Sequence, residues 1–67
     1  MLIGYFTEYK GYKGSIKYDY ENGVYYGSLI DIKDLVTYQA DNVVELFTEY
    51  CNAVDSYIEF KGVINNG

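Results

Sequence analysis

Histidine, arginine, proline and tryptophan are absent from this 67-residue sequence, and Cys51 is its only cysteine. An internal disulfide is therefore excluded, and no zinc site is expected without histidine. The missing histidine also excludes Ser–His and Cys–His nucleophile systems. Neither glycine-rich phosphate-binding motif occurs, so we expect no cofactor. These absences leave carboxylates as the only plausible catalytic groups.

Ten acidic residues outnumber five lysines, which gives a net charge of −5. The lysines are scattered, whereas nucleic-acid-binding proteins cluster Lys and Arg against phosphates, so we expect no direct binding of nucleic acid. An acidic surface suits a basic partner, although charges of this size also simply keep small domains soluble. No apolar run is long enough for a membrane span or signal peptide, and a lone thiol suits a reducing cytoplasm.

The segment Asn42–Lys61 has the periodicity of an amphipathic helix, and we predict a helix over about residues 43–61. Asn42 can cap its free amides together with Glu45, and Lys61 in the last turn and Gly62 beyond it are expected to mark its end. The apolar side comprises Val43, Val44, Leu46, Phe47, Tyr50, Cys51, Ala53, Val54, Tyr57 and Ile58.

Three strands are predicted before this helix, at about residues 9–19, 24–30 and 35–40. The first alternates with a lysine face toward solvent, and Asn22-Gly23 predicts a hairpin to the second. Gly27 in mid-strand indicates close approach of another backbone, which we take to be the helix.

The predicted fold is therefore α+β, in a single domain: an antiparallel three-stranded meander packed on one α-helix. Residues 63–67 either add a fourth short strand or fray, and residues 1–8 show neither period clearly.

Acidic residues at strand ends and at the helix start raise the alternative of a metal-dependent nuclease. They are Asp19, Asp31, Asp34, Asp41 and Glu45. Turns and first helical turns favour acids on local grounds alone, so we expect no metal site and no enzyme. Cys51, mid-helix on the apolar side, is interpreted as packing.

Four stretches resemble the HicB antitoxin family. They are Tyr9–Tyr18 (YKGYKGSIKY), Gly23–Gly27 (GVYYG), Leu35–Leu46 (LVTYQADNVVEL) and Ala53–Tyr57 (AVDSY). The resemblance covers about residues 9–60 and rests on spaced glycines, tyrosines and helix positions. It implies a catalytically inactive, partial RNase H-like fold (β-β-β-α) that neutralises a small basic mRNA-cleaving toxin of the HicA type.

The sequence departs from that family in several respects. Family members usually carry a C-terminal DNA-binding domain after this helix, and we expect none in this chain. Asp31 and Ala40 stand where the family favours glycine. Positions 44, 47 and 51 are usually polar in the family but are apolar here. This surplus apolar edge is Val44, Phe47, Cys51 and Ile58. We expect it to pack against a second chain, forming a homodimer or higher oligomer, or against the N-terminal segment.

The candidate toxin-binding residues are Asp31, Asp34, Asp41 and Glu45. The leading prediction is an antitoxin-like binding module in the cytoplasm. The alternatives are an orphan structural or interaction protein without a toxin, and a residual nuclease.

Overall fold

A computed structural model describes the backbone of residues 1–66 and the side chains of residues 1–62. It contains β1 (Leu2–Tyr5), β2 (Ser15–Asp19), β3 (Val24–Ser28), β4 (Thr37–Ala40) and then α1 (Val43–Asn66). The strands form one antiparallel sheet in the order β1-β2-β3-β4, and α1 packs over β3 and β4. The predicted α+β meander with one helix is confirmed.

The fourth strand lies at the N-terminus, not in the tail. β1 is an edge strand whose apolar side chains remain largely exposed, and its register with β2 shifts between Leu2 and Gly4. An exposed, irregular edge strand has no buried face to impose a period of two, which explains why residues 1–8 show neither period clearly. Residues 63–66 continue the helix, so the alternative of a strand there was wrong, and Gly67 lies outside the described residues.

β2 is shorter than predicted because the chain reverses direction before it. The backbones of Tyr9 and Tyr12 exchange two hydrogen bonds of 2.9 Å, each residue donating to the other. Between them, Lys10 (φ 51°) and Gly11 (φ 87°) both take positive φ, as a tight primed turn requires. The predicted strand from residue 9 therefore begins only at Ser15. Ser15 lies between Lys13 and Lys17 on the side of the strand that was predicted to face solvent. It is instead buried, and its hydroxyl accepts a hydrogen bond from the amide of Ser28 at 3.0 Å.

The hairpin at Asn22-Gly23 is confirmed. Asp19 pairs with Val24 across it, and Gly23 takes a φ of 65° while donating to the Asp19 carbonyl at 2.8 Å. The Asp19 carboxylate accepts the Asn22 side-chain amide at 2.7 Å, and this hydrogen bond lowers the pKa of Asp19. The Asp19 carboxylate, one of the candidate catalytic groups, is therefore hydrogen-bonded within the turn.

Gly27 is a point of close approach, but not by the helix as expected. A Cβ at this position would overlap the carbonyl oxygen of Ser15 and lie 2.8 Å from the ring of Tyr38. The neighbouring strand β2 and a side chain of β4 therefore require glycine here.

Asn42 caps the N-terminus of α1 as predicted, but among the described residues no hydrogen bond to the Glu45 side chain contributes to the cap. The C-terminus of α1 is not where predicted. The side-chain oxygen of Asn42 accepts the Glu45 amide at 2.9 Å, and the Asn42 carbonyl accepts the Leu46 amide at 2.9 Å. Gly62 does not take positive φ, so the helix passes through it to Asn66, and Lys61 is not in the last turn. Glycine permits a left-handed cap but does not impose one.

Three tyrosines and three aliphatic residues form the buried core: Leu29, Tyr38, Leu46, Tyr50, Val54 and Tyr57. The Tyr38 hydroxyl donates to the Ser15 carbonyl at 2.9 Å, and burial raises the pKa of both Tyr38 and Tyr50. Within residues 1–66, no helix combines the length and apolarity needed to cross a bilayer.

Candidate functional site

The four carboxylates predicted to meet a basic partner lie at two separate places. Asp41 and Glu45 line a cleft at the start of α1, whereas Asp31 and Asp34 line a cleft near Tyr57 and Lys61. Since Tyr57 and Lys61 follow Glu45 by more than three helical turns, these four residues do not form one site.

The cleft at the start of α1 carries a concentration of negative charge. Its lining comprises Val24, Gln39, Ala40, Asp41, Glu45, Thr48 and Glu49. Asp41 follows β4, while Glu45 and Glu49 are one helical turn apart on α1, so three carboxylates face one cleft without a lysine among its lining residues. Glu49 was not among the sequence candidates. Its i, i+4 spacing from Glu45 was the available signal, but it is informative only once β4 is placed beside the helix.

The second pair of carboxylates lies in a mixed environment. Asp31 and Asp34 share their cleft with Lys33 and Lys61, so that the local charges balance. Asp34 accepts the Tyr57 hydroxyl at 2.9 Å, and this hydrogen bond raises the pKa of Tyr57. Asp31 takes a φ of 60°, the left-handed conformation that glycine adopts most readily. The turn at position 31 thus keeps a glycine-like backbone.

An apolar cleft continues from the acidic one along the same side of α1. It is lined by Asp34, Leu35, Val36, Thr37, Ala53, Ser56, Tyr57 and Phe60. Leu35 is 87 % exposed and Phe60 is 54 % exposed. The predicted third strand included Leu35 and Val36, but β4 begins at Thr37, which leaves both residues in the loop. We call the two clefts together the β4 groove, with an acidic end beside Asp41 and an apolar end beside Leu35.

The opposite side of α1 is covered by the N-terminal segment. The ring of Phe6 stacks on Tyr50 with a centroid separation of 4.9 Å and meets Phe47 edge-on at 5.5 Å. Farther along, Asp55 binds the Lys10 ammonium at 2.8 Å and accepts the Tyr9 hydroxyl at 3.2 Å. The surplus apolar edge was expected to pack either against a second chain or against the N-terminal segment. Residues 6–10 of the N-terminal segment lie against this side of α1.

Coverage of that edge is partial. Phe47 meets Phe6, and Cys51 packs against the core, while Val44 is 76 % exposed and Ile58 is 37 % exposed. Burial raises the pKa of the Cys51 thiol, which holds it in the protonated, weakly nucleophilic form and agrees with packing as its role.

The remaining carboxylates do not gather around a common point. Among the described residues, no three Asp, Glu or Cys side chains lie in an arrangement that could hold a metal ion.

Ala40, the second position at which the HicB family favours glycine, lies at the end of β4 and pairs with Tyr25.

Comparisons with protein-family models, with curated proteins and with solved structures give no match to this chain.

Proposed function

We propose that this chain is a non-catalytic, antitoxin-like binding module that acts in the cytoplasm on a small basic protein of the HicA toxin type. The observation that carries the proposal is the acidic end of the β4 groove, where Asp41, Glu45 and Glu49 face one cleft. Three carboxylates directed at one place favour a lysine- or arginine-bearing partner and exclude acidic ones.

The resemblance to the HicB family supports the same proposal. Two of the glycines on which it rests have structural reasons, because Gly27 leaves room for the Ser15 carbonyl and the Tyr38 ring, and Gly11 takes the positive φ of the turn before β2. The glycine-like φ of Asp31 is compatible with the family's preference at that position. These features support a shared scaffold, and the acidic groove supports a basic partner.

Affinity capture from the native host tests this proposal. Tagged chain is expected to retain a small basic protein through a wash of moderate ionic strength and to release it at high salt, because exposed charge pairs are screened. In the absence of this chain the recovered protein should cleave mRNA, and addition of the chain should abolish that activity. Recovery of no basic protein, or of one whose ribonuclease activity the chain does not reduce, would contradict the proposal.

Self-association remains a separate prediction. The residues of the surplus edge proposed to mediate it are Val44 and Ile58, which are exposed in the single chain. Val44→Glu places a charge on the most exposed of them without touching the Phe6–Phe47 contact. If Val44 and Ile58 form a homodimer contact, sedimentation should show a dimer for the native chain and a monomer for this variant.

A further inference from the structure

We propose that β4 is a docking edge, on which an extended segment with basic residues at one end and apolar residues at the other adds as a fifth antiparallel strand. The inference rests on the proposed function for the charge of the partner, and adds where and in what conformation the partner binds. Three features carry it: a free backbone edge, a groove with two chemically distinct ends, and the charge of this chain.

The outer edge of β4 has backbone groups available for pairing. β4 is the last strand in the sheet, with β3 as its only neighbour among the described residues. The Leu29 amide donates to the Val36 carbonyl at 3.0 Å, and Tyr38 pairs with Gly27 two residues farther along. Hydrogen-bonded pairs alternate in an antiparallel ladder, so the N–H and C=O groups of Thr37 and Gln39 point away from β3.

This edge lacks the features that normally discourage strand addition. β4 contains no lysine and no proline, and its register with β3 is continuous from Thr37 to Ala40. The other edge strand, β1, has a register shift that interrupts its pairing. Because bulges, lysines and prolines are the usual protections of an edge, β4 is the more receptive of the two.

The β4 groove gives an added strand its side-chain specificity. Alternate side chains of such a strand face the helix, where they meet the carboxylates of Glu45 and Glu49 at one end and Ala53 and Phe60 at the other. Leu35, 87 % exposed, would be covered by an apolar residue of the partner. An antiparallel partner therefore enters with basic residues first and apolar residues last.

Charge decides between such a partner and a second copy of this chain. Two copies each carry −5, and an antiparallel β4–β4 pair centred on Tyr38 would bring the second Asp34 opposite Asn42, next to Asp41. That arrangement adds a carboxylate to the acidic end and supplies no lysine from the paired residues 34–42. A basic segment satisfies the same backbone groups and neutralises the carboxylates.

A labelled peptide tests the inference directly. The probe is acetyl-Lys-Thr-Lys-Thr-Val-Thr-Leu-amide with a fluorophore, titrated with the full chain and followed by anisotropy. Two control probes replace both lysines by glutamate, or carry N-methyl groups on the residues that would donate to β4. We expect saturable binding of the first probe and at least about tenfold weaker binding of each control, since charge complementarity and backbone pairing are both required.

Variants of the chain locate the site. Gln39→Pro removes an outward N–H without breaking the β3 ladder, and Glu45→Lys with Glu49→Lys reverses charge at the acidic end. The matched control, Glu21→Lys with Glu59→Lys, makes the same charge change at exposed positions outside the β4 groove. We expect about tenfold weaker binding for the two groove variants, and little change for the control, because the added attraction depends on proximity.

If the N-methylated probe bound as tightly as the unmodified probe, strand addition would be overturned. This comparison uses the native chain, so it does not depend on the folding of a variant. Equal losses for the groove pair and the control pair would overturn the location, as would failure of the first probe to bind. If a basic toxin is captured from the host but Gln39→Pro does not weaken its binding, the proposed function stands and the docking edge fails. If the probe binds β4 but no basic protein is captured, the edge stands and the antitoxin function fails.

Discussion

One flank of α1 lies against residues 6–10, while the other lies beside the open edge of β4. On the first flank, an aromatic stack and a hydrogen-bonded ion pair tie the N-terminal segment to the helix. On the second, carboxylates and apolar side chains line a groove beside a strand whose Thr37 and Gln39 backbone groups point away from β3. One flank of the helix thus stabilises the fold, while the other is available to a binding partner. Substitutions on the first flank should therefore lower stability more than substitutions on the second.

The largest difference is expected between Tyr50→Ala and Ser56→Ala. Tyr50 is fully buried, and its hydroxyl donates to the carbonyl oxygens of Tyr12 and, at 3.2 Å, Thr7. Its removal should lower the free energy of unfolding by about 3–5 kcal/mol, which leaves a domain of this size largely unfolded. Ser56 is exposed beside the β4 groove, so its truncation should change that free energy by less than about 0.5 kcal/mol. Urea unfolding measures both, and similar losses would contradict the division into flanks.

Gly27→Ala tests how closely β2 and the Tyr38 side chain of β4 pack against β3. The new methyl group must displace both the Ser15 carbonyl and the Tyr38 ring, at a cost of about 1–3 kcal/mol. Gly4→Ala is the matched control, because a Cβ there meets nothing within 4 Å and φ is not positive. Thermal unfolding should show a clear fall for Gly27→Ala only. An unchanged midpoint for Gly27→Ala would mean that the Ser15 carbonyl and the Tyr38 ring do not approach β3 this closely.

Phe6→Ala and Phe60→Ala compare one aromatic ring on each flank. Phe6 is partly buried between Phe47 and Tyr50, so its loss should cost about 2 kcal/mol. Phe60 is 54 % exposed at the apolar end of the groove, and its loss should cost about 0.5 kcal/mol or less. Chemical unfolding of the two variants measures the difference. A larger loss for Phe60→Ala would reverse the assignment of the flanks.

The smallest effect concerns the ion pair on the closed flank. The hydrogen bond from the Lys10 ammonium lowers the pKa of Asp55, so the stabilisation is present above the unfolded-state pKa of about 3.9 and is lost as pH falls through the folded-state value. Asp55 likewise raises the pKa of Lys10, so the Lys10 contribution is lost only as pH rises beyond about 10.4. Asp55→Asn should therefore destabilise the chain slightly at pH 7 and converge with the native chain near pH 2.

Glu59→Gln is the control for that comparison, because it removes a carboxylate from an exposed position of the same helix. Its stability difference from the native chain should be smaller at pH 7. Urea midpoints at the two pH values decide the matter. An Asp55→Asn difference that persists unchanged at pH 2 would show that charge is not its origin.

Local signals predicted the turns and the cap but not the edges of the sheet. Asn22-Gly23 and Asn42 act through their own backbone neighbours, so their roles are readable from a few residues. β1 was missed because an exposed, bulged strand carries no buried period. The reversal at Lys10 was hidden because the alternation of residues continues through the turn at Gly11.

The candidate site was predictable only in part, for a related reason. Asp41 and Glu45 were chosen because they lie near the cap of the helix, and they do line the acidic end of the groove. Asp31 and Asp34 were chosen by the same rule but lie away from the acidic end, because the loop between β3 and β4 carries them to the other end of α1, where Asp34 also lines the apolar end of the groove. Glu49 and the apolar end depend on how the helix lies over β4, which no local pattern specifies.

Amide hydrogen exchange of the free chain, read residue by residue by NMR, tests the contrast between the flanks most directly. The amides of Phe6 and Tyr12 are hydrogen-bonded to the carbonyls of Gly14 and Tyr9, and should exchange slowly. The amides of Thr37 and Gln39 point away from β3 and should exchange at rates close to those of an unstructured chain. Protection of Thr37 and Gln39 equal to that of Phe6 would contradict the account, because the edge of β4 would then already be paired.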